Sequence, residues 1–163
     1  MSETTPTIRL YVMCGIPGSG KSTWATQHLP WVPYVSRDDI RFAMLKPNED
    51  YFSHEKEVWQ KFIDRITFYA NSEQDVVIDA THVNGASRAK LFRSLDANIE
   101  VPFEIYLIWM DTPLYICMER NDIRTDRAKV PADAIIKMNT DKSEPRYAEH
   151  PKIKAIWKIG VRR

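Results

Sequence analysis

Cysteine is scarce: Cys14 and Cys117 are the only two in 163 residues. They offer neither a disulfide framework nor paired metal-ligand spacing, so both are read as small buried hydrophobes. No apolar run approaches the roughly 20 residues that a membrane helix needs. The first seven residues are short and polar, lacking the charged and apolar regions of a signal peptide. An intracellular, cytoplasmic location without a membrane partner is expected. Neither sign of charge dominates, since 23 Lys and Arg face 22 Asp and Glu for a formal net charge of +1. That balance neither demands nor excludes nucleic acid, whose binding must come from a local patch. Internal repeats, low-complexity segments and long linkers are also missing. What is there, 44% hydrophobic and 28% charged, is the composition of a globular chain. Its length suits one domain, spanning residues 1–163, with a substantial core.

The chain is organised around Gly15 Ile16 Pro17 Gly18 Ser19 Gly20 Lys21 Ser22, which satisfies the phosphate-loop pattern of Gly, four residues, Gly-Lys and Ser/Thr. Its glycines let backbone N–H groups turn inward and form, with the following helix N-terminus, a partly positive nest for phosphate oxygens. Lys21 is then placed to reach the β and γ phosphates, and the Ser22 hydroxyl to ligate Mg²⁺. Residues 9–14 read as a buried strand entering the loop and residues 22–28 as the helix leaving it. The nucleotide-contacting set is therefore Gly15, Pro17, Gly18, Ser19, Gly20, Lys21, Ser22 and Thr23. ATP and Mg²⁺ are the expected cofactors.

Downstream, residues 33–35 suggest a short strand, and Ser36 to Arg41 looks like a helix start. Ser36 as N-cap with Asp39 at N3 resembles a capping box, which occupies Asp39 structurally. Asp38 lies about 100° further round, and Arg41 at i+3 shares its face. A carboxylate and an arginine beside a phosphate loop suit proton acceptance and charge stabilisation; a surface ion pair fits the same spacing. A long helix over residues 54–71 buries Val58, Trp59, Phe62, Ile63, Ile66 and Tyr69, whose 3, 4 spacing marks a core face rather than a base-stacking one. Residues 75–80 form a strand ending in Asp79, a position from which an acid can help hold Mg²⁺ through water. Thr81 to Asn84 is a polar loop, with His82 read as a hydrogen-bonding residue because it lacks spaced metal partners. Asn84 caps a helix running to about Leu95.

Residues 101–110 give a third strong strand. Asp111 or Thr112 is expected to cap the next helix, with Pro113 in its first turn. That helix turns basic at Arg120, Arg124 and Arg127. Arginines at i, i+4 and i+7 read as one stripe, either a lid over a triphosphate or a solvated basic face; the lid segment spans about residues 120–131. An amphipathic helix over residues 131–141 and a last strand over residues 152–159 follow, and the chain ends on Arg162 and Arg163. Alternating strands and helices imply an α/β fold, a central parallel sheet flanked by helices, with ligands at the carboxyl ends of the strands.

Taken in order, the phosphate loop, Arg37 Asp38 Asp39 Ile40 Arg41, Thr81 His82 Val83 Asn84, Arg120 Asn121 with Arg124, and Val130 Pro131 resemble the kinase domain of phage-type polynucleotide 5′-hydroxyl kinases. That group lies among the P-loop kinases related to adenylate kinase. The resemblance extends over about residues 9–147. It implies Asp38 as general base, Arg41 as a contact of the reacting phosphate, and Arg124 as the lid arginine with Arg120 supporting it. The catalytic set is then Asp38, Arg41, Lys21 and Arg124, with Ser22 and Asp79 toward the metal. Acceptor contacts are expected from Asp38, Arg41, Thr81, His82, Asn84 and Arg88. His82 stands where the family usually has Asn, and the lid is one residue longer before Val130. The family's linked phosphatase domain has no counterpart in these residues, so 3′-phosphatase activity is not implied. The reaction implied is transfer of the ATP γ-phosphoryl group to a 5′-hydroxyl nucleic acid end, DNA or RNA, in a phage or bacterial repair setting. Two alternatives remain: a P-loop kinase of a small hydroxylated molecule such as a nucleoside, sugar or antibiotic, and an ATP-dependent switch or binding module.

Overall fold

A computed structural model describes residues 5–125 and 129–160. The β-rich apolar runs become five strands: β1 (Ile8–Cys14), β2 (Tyr34–Ser36), β3 (Val76–Asp79), β4 (Phe103–Asp111) and β5 (Ile153–Gly160). They form one sheet in the order β2-β3-β1-β4-β5, and every pairing is parallel. Between them run the helices α1 (Lys21–His28), α2 (Arg37–Met44), α3 (Glu55–Asn71), α4 (Gly85–Asn98), α5 (Leu114–Ile123) and α6 (Ala132–Asp141).

The inner strands β1, β3 and β4 are mostly apolar and buried on both sides, as a helix-covered parallel sheet requires, whereas the edge strand β5 is largely exposed. Side chains alternate across β1 with period two. Leu10 and Val12 join Val58, Phe62 and Leu91 in the larger core, whereas Tyr11 and Met13 pack with Ala25 of α1 and Met110 on the other face. The α3 residues read as core are core: Val58, Phe62, Ile63 and Ile66 are buried, and Trp59 and Tyr69 are half-buried against them. Both cysteines are fully buried and free, and burial pushes the Cys14 thiol up to about 12. A third cluster joins Ile16 of the phosphate loop to Cys117 of α5 and to Val130 and Ile135, so the loop is anchored by apolar packing at its base.

Register brings the chemistry together. Met13 lies opposite Asp79, and Ser36 is also opposite Asp79, so the carboxyl ends of β1, β2 and β3 finish at one level. The connections from β1 and β4 leave in opposite directions along the sheet, which opens the crevice where ligands bind in such sheets. The predicted cap of α2 forms, with the Asp39 N–H donating to Ser36 Oγ at 3.2 Å. Asn84 caps α4 by accepting from the Ser87 N–H at 2.9 Å, and Ser87 Oγ accepts in return from the Asn84 N–H.

Two expectations are corrected. Neither Asp111 nor Thr112 caps α5; Pro113 occupies that position. Thr112 is turned toward the phosphate loop, where its hydroxyl donates to the Ser19 carbonyl at 2.7 Å, and Asp111 ends β4 with Lys158 Nζ 3.7 Å away. The arginine stripe is not helical either. α5 stops at Ile123, and Arg124 is extended with ψ of 140°, so Arg120 and Arg124 do not share a helix face. Beside this end, the buried Asn121 amide donates to the Val130 carbonyl and accepts from the Val130 N–H. Arg127, Arg162 and Arg163 lie outside the described residues. Among the described residues, no helix is long and apolar enough to cross a membrane.

Candidate active site

The loop between β1 and α1 owes its shape to two glycines. Gly18 has φ of 83° and Gly20 φ of 96°, left-handed conformations that cost a residue with a Cβ. At Gly18 space also forbids one, because a Cβ would lie 2.6 Å from the Cys117 carbonyl oxygen. Gly20 starts α1, which has no side-chain cap, so its first N–H groups are left for a ligand rather than a capping hydroxyl. Lys21 Nζ donates back to the carbonyls of Gly15 (2.9 Å) and Ile16 (3.2 Å), and Arg120 Nη1 donates to the Gly18 carbonyl at 3.0 Å. Ser19 Oγ is buried with no hydrogen-bond partner.

A cavity of about 550 Å³ opens over this loop. Pro17, Gly18, Ser19, Gly20, Lys21, Ser22 and Thr23 of the loop line it, as do Arg120 and Arg124. Trp24, Tyr34, Asp38, Asp39, Phe42 and Asp79 line the same cavity. The structure thus brings the phosphate loop, Asp38, Asp79 and both described lid arginines to one space.

Asp38 is held from behind. Its Oδ1 accepts from Arg41 Nη1 and from the Tyr51 hydroxyl, the latter at 2.8 Å. Arg41 also donates to Tyr51 Oη (2.8 Å) and to both oxygens of Glu55, at 2.6 and 2.9 Å. Its guanidinium lies 4.5 Å from the Tyr51 ring centroid. Burial alone would raise Glu55, but the bonds to Arg41 and the charges of Arg41 and Arg37 hold it below the ordinary carboxylate range. Burial lowers Arg37, whose Nη2 donates to the same Glu55 at 2.9 Å. Arg41 is only 6% exposed and does not line the cavity. Four of its five N–H donors are engaged by Asp38, Tyr51 and Glu55, so here Arg41 braces Asp38 from behind instead of facing the cavity where the expected phosphate contact would be made.

Only half of the expected capping box forms, because Asp39 enters it through its backbone N–H and not its carboxylate, and Asp39 lines the cavity instead. Burial and the neighbouring Asp38 raise its carboxyl, with Arg65 pulling the other way. Asp79, at the end of β3, accepts a hydrogen bond from the Tyr34 hydroxyl through Oδ2. Burial raises Asp79 against the opposing pull of Lys21 and of Tyr34. Burial, and then the Asp79 charge, push the Tyr34 hydroxyl up in turn, so the proton stays on the tyrosine oxygen as donor.

The other expected acceptor contacts lie away from the cavity. Arg88 is fully buried, bonding to Glu149 at 2.7 and 3.1 Å and to the carbonyls of His82 and Ser143 at 2.9 Å. It ties α4 to the turn over residues 143–149 and is unavailable to substrate. His82 is 3% exposed, with Nδ1–H donating to the Met13 carbonyl at 3.0 Å. Burial brings its pKa down to about 4, so the ring is neutral, in line with its reading as a hydrogen-bonding loop residue. Thr81 serves through its carbonyl, which accepts the Gly15 N–H at 2.8 Å. The Asn84 carbonyl of the side chain is committed to its helix cap. None of these four lines the cavity.

A nucleotide and Mg²⁺ fit what is present. The glycine cradle excludes a Cβ, the uncapped start of α1 points its N–H groups to a ligand, and Ser22 and Asp79 line one cavity with oxygen donors of the kind Mg²⁺ takes. Tyr51, Glu55 and Tyr34 were missed in sequence, where no local signal marks them, whereas Asn121 stands in the lid motif without an assigned role.

A family model described as AAA domain matches residues 10–145. Among curated proteins, none matches the chain. Among solved structures, the chain is similar to one in the Pnkp1/Rnl/Hen1 RNA repair complex, at 23% identity and a TM-score of 0.68. The match covers 86% of this chain and 45% of that one, so the chain spans less than half of its length. It is also similar to a fungal RNA kinase, with 13% identity, 99% and 78% of the two chains covered and a TM-score of 0.68. A sugar kinase from Janibacter sp. HTCC2649 gives 16% identity, 95% and 86% coverage and a TM-score of 0.59. At these identities the likenesses establish the fold.

Proposed function

We propose that this chain, which belongs to the AAA domain family and has the fold of the P-loop kinases, transfers the γ-phosphoryl group of ATP to the 5′-hydroxyl end of DNA or RNA. One observation carries the reading: a carboxylate, Asp38, lines the same cavity as the phosphate loop and is fixed by Arg41 and Tyr51. A nucleotide switch has no use for such a group. A transferase needs one to orient an acceptor hydroxyl and take its proton.

In the proposed step the acceptor oxygen forms a bond to the γ phosphorus as the bond to the β–γ bridging oxygen breaks. The hydroxyl proton passes to Asp38, and ADP leaves with the bridging oxygen. Lys21, Arg124 and Arg120, with the loop N–H groups, offset the charge spread over the phosphoryl oxygens. Ser22 and Asp79 are the residues that would hold Mg²⁺, which would supply charge neutralisation at the triphosphate. Arg41 acts one step back, by orienting Asp38. An RNA repair complex and a fungal RNA kinase among the structural neighbours support a nucleic acid acceptor.

A kinase of a small hydroxylated acceptor is the second reading. The sugar kinase neighbour and the presence of Asp39 beside Asp38 in the cavity lining favour it, because carboxylates suit an uncharged polyol. γ-Labelled ATP with Mg²⁺ distinguishes them when 5′-hydroxyl oligonucleotides, their 5′-phosphorylated counterparts and a set of small alcohols are offered side by side. Label on the 5′-hydroxyl ends alone is expected. Label confined to small alcohols would reject the proposal.

A further inference from the structure

Resting on the transferase reading above, we infer that Glu55 is a positioning residue that fixes which carboxylate oxygen of Asp38 takes the acceptor proton, keeping Oδ2 open for it. Arg41 is a planar cation whose donors sit on fixed edges. Glu55 occupies one edge as a fork, its Oε1 accepting from Nε at 2.6 Å and its Oε2 from Nη2 at 2.9 Å. That leaves Nη1 to face Asp38, where it donates to Oδ1 and also to the Tyr51 hydroxyl at 2.8 Å. Because Arg41 can only donate, the Tyr51 oxygen accepts from it and turns its own O–H to Asp38 Oδ1, at 2.8 Å. Burial, and then the Asp38 charge, push that hydroxyl up, so it stays a donor. Both bonds end on one oxygen. Among the described residues Oδ2 takes no hydrogen bond, and the Asp38 side chain is 41% exposed where it lines the cavity.

Glu55 itself does not line the cavity. Its Oε2 also accepts from Arg37 Nη2 at 2.9 Å, and the Arg37 guanidinium lies 5.2 Å from the Trp59 ring centroid. Glu55 and Trp59 stand four residues apart on α3, on one helix face, so a single helix anchors the clamp. Without the Glu55 carboxylate, Nε and Nη2 of Arg41 lose their acceptor, and Asp38 is the anion left in contact with the guanidinium. A guanidinium pairs with both oxygens of a carboxylate when nothing holds it back, which would cover Oδ2 as well. Glu55 draws the fork away from Asp38 and so leaves the proton-accepting oxygen uncovered.

Single-turnover label transfer from ATP to a 5′-hydroxyl oligonucleotide tests this in two backgrounds. On the native chain Glu55→Gln, which keeps the length and removes the anion, is expected to lower the rate about tenfold or more, with the dissociation constant for ATP within about twofold. On Asp38→Asn, which already lacks the proton acceptor, the same substitution is expected to change the rate less than about twofold, because its effect runs through Asp38. If urea unfolding shows that Glu55→Gln does not fold, Glu55→Asp keeps the charge on a shorter arm and is expected to give the same pattern at about threefold. An equal loss in both backgrounds would overturn the inference, since a residue that only props the helices harms both alike. A native rate in Glu55→Gln would overturn it too and leave the transferase reading standing. A native rate in Asp38→Asn alone would remove the transferase reading and this role with it.

Discussion

The phosphate loop and the surroundings of Asp38 are built from different materials. At the donor end the ligand-facing groups are mostly backbone, shaped by Gly18 and Gly20 within a stretch of eight residues. Around Asp38, the acceptor side on the proposed reading, they are side chains whose partners are distant in sequence: Tyr51 is 13 residues from Asp38 and Glu55 is 14 from Arg41. A backbone nest needs particular residues in consecutive order and reads as a motif. A side-chain clamp needs only that tertiary packing bring its members together. The donor end should therefore respond to changes in the loop, and the acceptor side to changes spread over α2 and α3.

The sharpest division is expected at Asp38. Asp38→Asn should lower kcat for a 5′-hydroxyl oligonucleotide by about 10²- to 10⁴-fold, the usual span for a lost general base, as measured by steady-state label transfer. Lys21→Ala should cost about 10²- to 10³-fold in kcat and raise the KM for ATP as well, because its ammonium meets the donor in both ground and transition states. Tyr51→Phe keeps the ring beside Arg41 but removes the hydroxyl that donates to Asp38. About a tenfold loss in kcat follows from a hydrogen bond to a charged group, with ATP affinity unchanged. An Asp38→Asn enzyme as active as the native chain would erase the comparison.

Residues that only support the frame should behave otherwise. Arg88→Met leaves Glu149 without its buried partner and should lower stability by about 3–5 kcal/mol, read in urea unfolding, with kcat per folded molecule unchanged. His82 predicts a smaller, pH-dependent effect. Its folded pKa near 4 lies below the ordinary 6.5, so the unfolded chain binds a proton that the folded chain does not. Its contribution is fully present above pH 6.5 and is lost as pH falls toward 4, by roughly 3 kcal/mol at most. Asn also tolerates the left-handed backbone found here, φ of 42°. His82→Asn should therefore remove this part of the acid sensitivity, measured as the difference in unfolding free energy between pH 7 and 4.5.

The elements were legible because their signals are local. Strand β3 is a run of apolar residues ending in Asp79, α3 carries its core face at 3, 4 spacing, and Ser36 and Asn84 cap helices as their positions imply. The parallel sheet followed from the alternation of strands and helices. Side-chain direction was less legible. Arg41 shares a helix face with Asp38, as spacing requires, yet Glu55 from α3 draws its guanidinium behind that carboxylate. Arg88 was expected among the acceptor contacts, and only the fold reveals Glu149 and two carbonyls around it. In both cases a long-range polar contact overrode a correct local rule. The stripe of Arg120 and Arg124 assumed an unbroken helix, which stops at Ile123 beside the pairing of buried Asn121 with Val130.

The central claim is that donor binding and acceptor activation are built separately. Titrating Asp38→Asn with ATP in the presence of Mg²⁺ tests it most directly. The account predicts a dissociation constant within about threefold of the native value, or tighter, since the substitution removes a negative charge from the cavity. Binding weakened tenfold or more would contradict it, because Asp38 would then belong to the donor end.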